Sequence, residues 1–146
     1  RAARLHAIDL GIQMQLINVL RDVSEDYGRG RIYLPKDVLS SHNIDVEDLS
    51  NPNLPQNPSW ASFMREYLEV VRRHQTSAVH LFEYLDSRSR VQPRIMLDAY
   101  TKIFDEIVRR SGDVFSAPLK LSITSKMSLW MKINYLKIRA KLSAQQ

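Results

Sequence analysis

The sequence predicts an all-α protein, and three observations carry that prediction. Glycine is scarce, with four residues in 146, so long segments can stay helical. Apolar residues recur every three or four positions along those segments, which is the spacing of an amphipathic helix. No segment has the sustained alternation of apolar and polar residues that is typical of a half-buried strand. With 44% hydrophobic residues, the chain can bury the core of one domain.

The first helix is predicted over residues 2–27, and Gly28 is expected to end it, as glycine commonly does. At about 100° per residue, six apolar side chains share one face, which we expect to be the core face: Leu5, Ile8, Ile12, Leu16, Val19 and Val23. Leu10 and Ile17 lie on the far side, so the helix is apolar nearly all round. A helix of that kind is usually buried.

Short elements and a linker follow the first helix. Pro35 suits the start of a short helix that residues 36–39 complete. Residues 45–49 are predicted to form another turn. The stretch NPNLPQNPS, residues 51–59, reads as a linker because it holds three prolines and three asparagines.

The second long helix is predicted over residues 59–85, with Asn57 as its N-cap and Pro58 in its first turn. Its inner stripe is expected to hold mostly apolar side chains: Phe63, Tyr67, Val70, Val71, Ser77, Ala78, Leu81, Phe82 and Leu85. A third long helix should open at Pro93 and end near Ser111, with Gly112 as its stop.

The C-terminal part of the chain is basic. Residues 109–146 hold eight Lys or Arg and one Asp, a charge of +7, whereas residues 1–108 hold thirteen and fifteen, a charge of −2. Such a surplus suits nucleic acid, an anionic membrane surface or a diphosphate, but no nucleic-acid motif accompanies it. The chain has no cysteine, which excludes a disulfide framework, and no apolar run long enough to span a bilayer.

Residues 113–122 are expected to form an extended connection to a last helix over residues 124–142. That helix places apolar side chains on one side: Met127, Trp130, Ile133, Tyr135 and Ile138, with Asn134 among them. Its lysines lie elsewhere: Lys126, Lys132, Lys137 and Lys141. One interpretation is contact with a membrane surface. The alternative, which we favour, is a bundle helix whose lysine-rich side faces outward.

A polar stripe ends the first helix. Asn18, Asp22 and Asp26 are spaced i, i+4 and i+8, so they stack along one side, flanked by Gln15 and Glu25. Neighbouring carboxylates repel, and the negative end of the helix dipole adds to the cost. A positive partner should therefore offset the charge.

A hard divalent cation is the natural partner, because Mg²⁺ takes a few carboxylates and completes its shell with phosphate oxygens. Arg21, Arg29 and Arg31 would then bind the remaining charge of a diphosphate through forked hydrogen bonds. The alternative is a solvated helix end whose acids pair with Arg29 and Arg31.

The segment from Leu10 to Leu39, LGIQMQLINVLRDVSEDYGRGRIYLPKDVL, resembles the second aspartate-rich motif of the squalene/phytoene synthases. That motif reads approximately Q-L-x-N-x-x-R-D-x-x-E-D, followed by G-R-x-Y-L-P. The later segment from Arg94 to Ser116 is similar to the family's penultimate helix and its exit. Residues 40–90 agree only in helical character. We take the resemblance to cover essentially the whole chain.

The resemblance implies part of an isoprenoid-synthase-type helical bundle that condenses two prenyl diphosphates head to head, with Mg²⁺, and releases diphosphate. Mn²⁺ is an alternative metal. The substrate would be geranylgeranyl or farnesyl diphosphate. We favour phytoene as the product over squalene or presqualene diphosphate. A helical bundle with a dry apolar pocket suits this chemistry, because the cation left after ionisation needs protection from water.

The resemblance also implies roles for individual residues. Four would hold the metal: Asn18, Asp22, Glu25 and Asp26, with the role of Glu25 left open. Three would contact the substrate or its diphosphate: Gln15, Arg21 and Arg31. Tyr100 falls where the family often has a tyrosine facing the reaction cavity, although a packed helix tyrosine is an equal interpretation. The catalytic residues would be Asp22, Asp26 and Tyr100.

The sequence departs from the family pattern in two places. The first motif, D-x-x-x-D, is absent, so residues 1–146 are expected to be the C-terminal part of a single synthase domain. Ala117 and Pro118 stand where related sequences often have arginine, with Lys120 nearby.

Two alternatives of another class remain open: a non-catalytic scaffold, against which the intact stripe argues, and a membrane-surface module. The first residues show no signal-peptide layout, and the expected location is the cytoplasm.

Overall fold

The computed structural model describes residues 2–120 and 123–142, and in that part of the chain every regular element is helical. The all-α prediction is therefore confirmed. There are six α-helices in the described ranges: α1 Ala2–Arg21, α2 Val23–Gly28, α3 Lys36–Ser41, α4 Pro58–Val79, α5 Val91–Arg109 and α6 Ile123–Leu142. Short 3-10 helices connect them: Val46–Ser50, Leu54–Gln56 and His80–Glu83.

The main core forms where α1, α4 and α5 pack together, with the connecting loops closing one end. Trp60 and Phe63 are fully buried at its centre, in contact with each other at 5.2 Å between ring centroids. The indole N–H of Trp60 donates to the carbonyl of Gly112 at 3.0 Å, which ties the start of α4 to the exit of α5. A buried indole usually needs such a partner.

Helix α4 begins where the sequence predicts but ends earlier than predicted. The Asn57 side chain accepts the backbone N–H of Ser59 at 2.9 Å, so the predicted N-cap is confirmed. The predicted helix to residue 85 is too long, because α4 ends at Val79 and continues as a 3-10 helix. Beyond it, the Asp86 carboxylate accepts two backbone N–H groups in a turn, which competes with helix continuation.

The glycine predicted to stop α5 does so. Gly112 has φ of +82° and donates its N–H to the carbonyl of Ile107 at 2.9 Å. A Cβ at this position would lie 2.9 Å from Cγ of Met64, so both the backbone and the packing favour glycine. The helix begins at Val91, two residues before the predicted start at Pro93.

The predicted core face of α1 is wrong over its first half. Leu5 is 59% exposed and Ile8 46%, whereas Leu10 and Ile17, placed on the far side, are buried. The helix packs its Leu10 side against α4 and α5, in a small cluster with Ala78 and other residues of those elements. A helix that is apolar nearly all round carries no signal for which side faces its neighbours, so packing partners decide.

The packing orientation favoured for α6 is also wrong. Leu129 and Lys132 face α5, where Lys132 Nζ lies 2.5 Å from the Asp98 carboxylate. Met127 and Trp130 are exposed by 60% and 67%. The side of α6 expected to join the bundle thus faces outward. The connection over residues 113–120 contains no helix, as predicted, while Leu121 and Ser122 lie outside the described residues.

Candidate diphosphate-binding site

A break in the first helix lies within the acidic stripe. The prediction of one helix over residues 2–27 is wrong, because Asp22 has φ of −103° and ψ of 5° and separates α1 from α2. The helical register nevertheless continues. The N–H of Asp22 donates to the carbonyl of Asn18 at 2.9 Å, and that of Asp26 donates to the carbonyl of Asp22 at 2.8 Å. The three side chains therefore remain on one line across the break.

Arg21 and Asp22 form a two-point ion pair at the break. Nε and Nη2 of Arg21 donate to the two carboxylate oxygens of Asp22 at 2.7 and 2.6 Å. The hydrogen bond with Asp22 raises the pKa of Arg21, and Tyr100 adds to the rise. Both side chains are about one-third exposed, at 31% and 33%, so they remain accessible to an incoming anion or cation.

Tyr100 joins the stripe from α5. Its hydroxyl donates to Oδ1 of Asn18 at 3.0 Å, and the two residues are 82 positions apart in the chain. The tyrosine is half-buried. Tyr100 packs against the main core, as the interpretation of a packed helix tyrosine predicts, and its place in a reaction cavity stays a prediction.

The loop after α2 folds back onto the stripe. Gly30, with φ of +71°, is the left-handed residue here, whereas the predicted stop, Gly28, is the last residue of α2. The turn lets the N–H of Arg31 donate to the carbonyl of Asp26 at 2.8 Å. Asp26 and Arg31 line a small cavity of about 10 Å³ together with apolar neighbours that include Val23.

Glu25 and Gln15 are placed less centrally than the other predicted residues. Glu25 pairs with Arg29 at 2.6 Å on the exposed side of α2, where both side chains are more than half exposed. Gln15 is exposed on α1. For Glu25, the ion pair matches the solvated alternative. The metal role of Glu25 and the substrate role of Gln15 stay predictions.

A ready-made metal centre is not visible in the part of the chain that the structure describes, where no three His, Asp or Glu side chains converge. Mg²⁺ does not need such a cluster, because it usually binds one or two protein carboxylates together with water and substrate phosphates. Asn18, Asp22 and Asp26 supply oxygen ligands of the kind it prefers. The donor set therefore fits Mg²⁺ or Mn²⁺.

Sequence reasoning missed a polar network between α1 and α4. The Asp9 carboxylate accepts from Ser77 Oγ at 2.5 Å and lies 2.8 Å from Nδ1 of His74, while Nδ1 of His6 lies 3.0 Å from Ser77 Oγ. These bonds lower the pKa of Asp9, with that from Ser77 the largest cause. The signal was present as two i, i+3 polar pairs, His6 with Asp9 and His74 with Ser77.

These observations define an all-α protein with a line of polar and acidic side chains, Asn18, Asp22 and Asp26, which Arg21 and Tyr100 contact at one end of a helical core. The squalene/phytoene synthase family model matches residues 1–125. The chain belongs to that family.

Curated relatives are phytoene synthases. The chain is 41% identical over 123 residues to the phytoene synthase of Arthrospira platensis, covering 83% of this chain and 38% of the relative. It is 40% identical over 111 residues to the 15-cis-phytoene synthase of Synechococcus elongatus, covering 75% and 35%. It is 35% identical over 121 residues to the chloroplastic phytoene synthase 1 of Solanum lycopersicum, covering 83% and 29%. The chain thus spans roughly a third of these relatives.

None of the helices in the described part of the chain combines the length and the apolar character needed to cross a bilayer.

Proposed function

We propose that this chain supplies one wall of the active site of a head-to-head prenyl synthase, with phytoene as the favoured product. The convergence of Asn18, Arg21 and Tyr100, from α1 and α5, with Asp22 at the break after α1 carries the proposal. Asp26 and Arg31 lie beside them. The family match over residues 1–125 supports it. Geranylgeranyl diphosphate would be the substrate, and farnesyl diphosphate the alternative if squalene or presqualene diphosphate is made.

Asn18, Asp22 and Asp26 are the residues that would hold Mg²⁺, and Glu25 is a further candidate. Bound there, the metal would neutralise the negative charge of a diphosphate leaving group without any proton transfer. Mn²⁺ has the same ligand preferences and is an alternative.

Arg21 and Arg31 have the planar, multi-donor groups that recognise phosphate oxygens at two points. In the present arrangement Asp22 occupies the guanidinium of Arg21. We propose that Arg21 exchanges part of this pairing for the diphosphate when substrate binds, since both partners are accessible. Gln15, one turn before Asn18, would contact the substrate from the exposed side of α1.

Tyr100 orients the amide of Asn18 by donating to its Oδ1. Its ring would also offer an aromatic group to a nearby cation, and aromatic faces stabilise cations. Its two roles are therefore separable. Loss of the hydroxyl should weaken metal-dependent activity, and loss of the ring should weaken stabilisation of the carbocation.

A chimera tests the proposal directly. Residues 1–125 of this chain would replace the matching segment of the Arthrospira platensis phytoene synthase, and diphosphate release from geranylgeranyl diphosphate would be measured with Mg²⁺. We expect activity that chelation abolishes and that Mg²⁺ or Mn²⁺ restores. Asp26→Asn should lower it at least about 100-fold, because several kcal/mol of charge stabilisation depend on the metal. Asp37→Asn, on the exposed side of α3, is the matched control.

Circular dichroism of each chimera shows whether it is folded, so that a loss of activity can be distinguished from a loss of structure. A folded chimera without activity would favour the scaffold alternative and contradict the proposal. A folded, active chimera in which Asp26→Asn behaves like Asp37→Asn would contradict the metal assignment alone. Product analysis with geranylgeranyl and farnesyl diphosphate then decides between phytoene and squalene chemistry.

A further inference from the structure

Helix α4 donates a hydrogen bond to α1 close to the polar stripe. The Tyr67 hydroxyl donates to the backbone carbonyl of Leu16 at 3.2 Å, and Leu16 lies two residues before Asn18. The Tyr67 ring packs against Phe63 at 5.6 Å between ring centroids, so the side chain is held by the main core. Burial raises the pKa of the Tyr67 hydroxyl above its ordinary value, which keeps the proton on the donor. Tyr67 therefore holds one point of the α1 backbone.

The same helix contacts α5 beside Tyr100. The Gln75 side-chain amide donates to the Thr101 hydroxyl at 2.9 Å, and Thr101 is the next residue after Tyr100. Tyr67 and Gln75 lie about two turns apart along α4, on the side that meets the other two helices. That side of α4 is thus bonded to α1 and to α5 next to Asn18 and Tyr100, the two residues that join those helices.

The other polar contacts between α1 and α4 lie too far along the helix to set its end. The Asp9 carboxylate accepts from α4 at a point about 13 Å before Asn18 along the axis. In the part of the chain that the structure describes, the second half of α1 receives hydrogen bonds from two side chains of other helices, those of Tyr67 and Tyr100. Apolar packing is not directional, whereas a hydrogen bond weakens when its atoms shift or tilt. The position of Asn18 therefore depends on these bonds.

We propose that Tyr67 and Gln75 are positioning residues for the polar stripe that begins at Asn18. They fix the register between α1 and α5, and that register brings the Tyr100 hydroxyl to Oδ1 of Asn18. The inference rests on the proposed function, in which Asn18 would hold Mg²⁺ and Tyr100 would orient its amide. Tyr67 and Gln75 act through the helices that they join and not by contact with the metal or the substrate.

Nuclear magnetic resonance of the whole 146-residue chain without metal tests the positioning directly. The side-chain amide signal of Asn18 reports its bond with Tyr100, and Tyr100→Phe gives the signal of the broken bond while keeping the ring. Tyr67→Phe and Gln75→Met should each shift the Asn18 signal towards that of Tyr100→Phe, because loss of either bond lets the helices move relative to each other. An Asn18 signal that stays at the wild-type position in both variants would overturn the proposal.

Val71→Ala is the matched control for these variants. Val71 lies between the two donors on α4, is fully buried and has no polar side-chain atom. Its truncation should lower the melting temperature more than Tyr67→Phe does, because it leaves a cavity in the core, yet keep the Asn18 signal close to its wild-type position. A signal shift that follows the loss of stability, and is largest in Val71→Ala, would mean that Tyr67 and Gln75 act only through packing, and the proposal would be wrong.

The Mg²⁺ dependence of the chimera described above gives a second measurement. Outer partners of metal ligands are worth about 10–100-fold in metal affinity, and Tyr67 acts one step further out, so Tyr67→Phe should raise the Mg²⁺ concentration for half-maximal activity about fivefold. Val71→Ala should lower the amount of active enzyme without changing that concentration.

The two measurements separate this inference from the proposed function. A chimera that is inactive with every residue of this chain intact contradicts the proposed function, and the Asn18 signal still decides whether Tyr67 and Gln75 position the stripe. An active chimera in which Tyr67→Phe leaves the Mg²⁺ dependence unchanged supports the proposed function and overturns the positioning role.

Discussion

Helices α1 and α6 are both 20 residues long and carry apolar residues on more than one side, yet the molecule holds them very differently. Helix α1 buries Leu10, Ile17 and Leu20, and polar bonds join it to α4 and α5. In helix α6, Leu129 is buried among the described side chains, and Lys132 forms an ion pair with Asp98 of α5. Specific polar contacts, more than hydrophobic content, thus determine which side of an apolar helix faces inward.

The largest difference in the free energy of unfolding should appear between alanine substitutions of the two tryptophans. Trp60→Ala removes a fully buried side chain from the core and should lower the free energy of unfolding by about 3–5 kcal/mol. Trp130→Ala removes a side chain that is 67% exposed and should change it by less than about 0.5 kcal/mol. Urea unfolding followed by circular dichroism measures both. Equal losses would mean that the Trp130 side chain is buried in solution.

A smaller effect on the free energy of unfolding, of opposite sign, is expected from replacing Gln13, which lies fully buried in α1. Among the residues that the structure describes, none offers a hydrogen-bond partner to either end of its amide. Leaving buried polar atoms unpaired costs about 1–3 kcal/mol, so Gln13→Met should raise the free energy of unfolding by an amount in that range.

The matched control for this change is Gln15→Met, on the exposed side of the same helix, which should shift stability by less than about 0.5 kcal/mol. A loss of stability in Gln13→Met would indicate that an ordered water pairs with the amide.

The smallest effect should come from the network around Asp9. Its pKa is lowered in the folded chain, mainly by the hydrogen bond from Ser77. A carboxyl whose folded pKa is depressed adds stability above its unfolded pKa and loses it as the pH falls through the folded value. Asp9→Asn should therefore lower the melting temperature by a few degrees at pH 7, and the difference should shrink below about pH 4.

Thermal melts of both proteins between pH 7 and pH 3 check this dependence. The Asp45→Asn variant, at an exposed 3-10 helix cap remote from α4, controls for general acid effects. A difference that stays constant over the whole range would show that Asp9 acts through packing and not through its charge.

The sequence alone determined the helical class, the N-cap at Asn57, the stop at Gly112 and the motif from Gln15 to Pro35. Each depends on residues close together in the chain, so local chemistry is sufficient to predict it. The acidic stripe was predictable for the same reason, because i, i+4 spacing places side chains on one side of a helix whatever the helix packs against.

Tertiary structure decided the rest. Which side of α1 and α6 faces inward depends on Ala78 and Asp98, residues far away in the chain. The hydrogen bond from Tyr100 to Asn18 likewise depends on how α5 meets the end of α1. An apolar helix satisfies its own backbone in any orientation, so the choice between its sides is made only when partners across the fold supply the contacts.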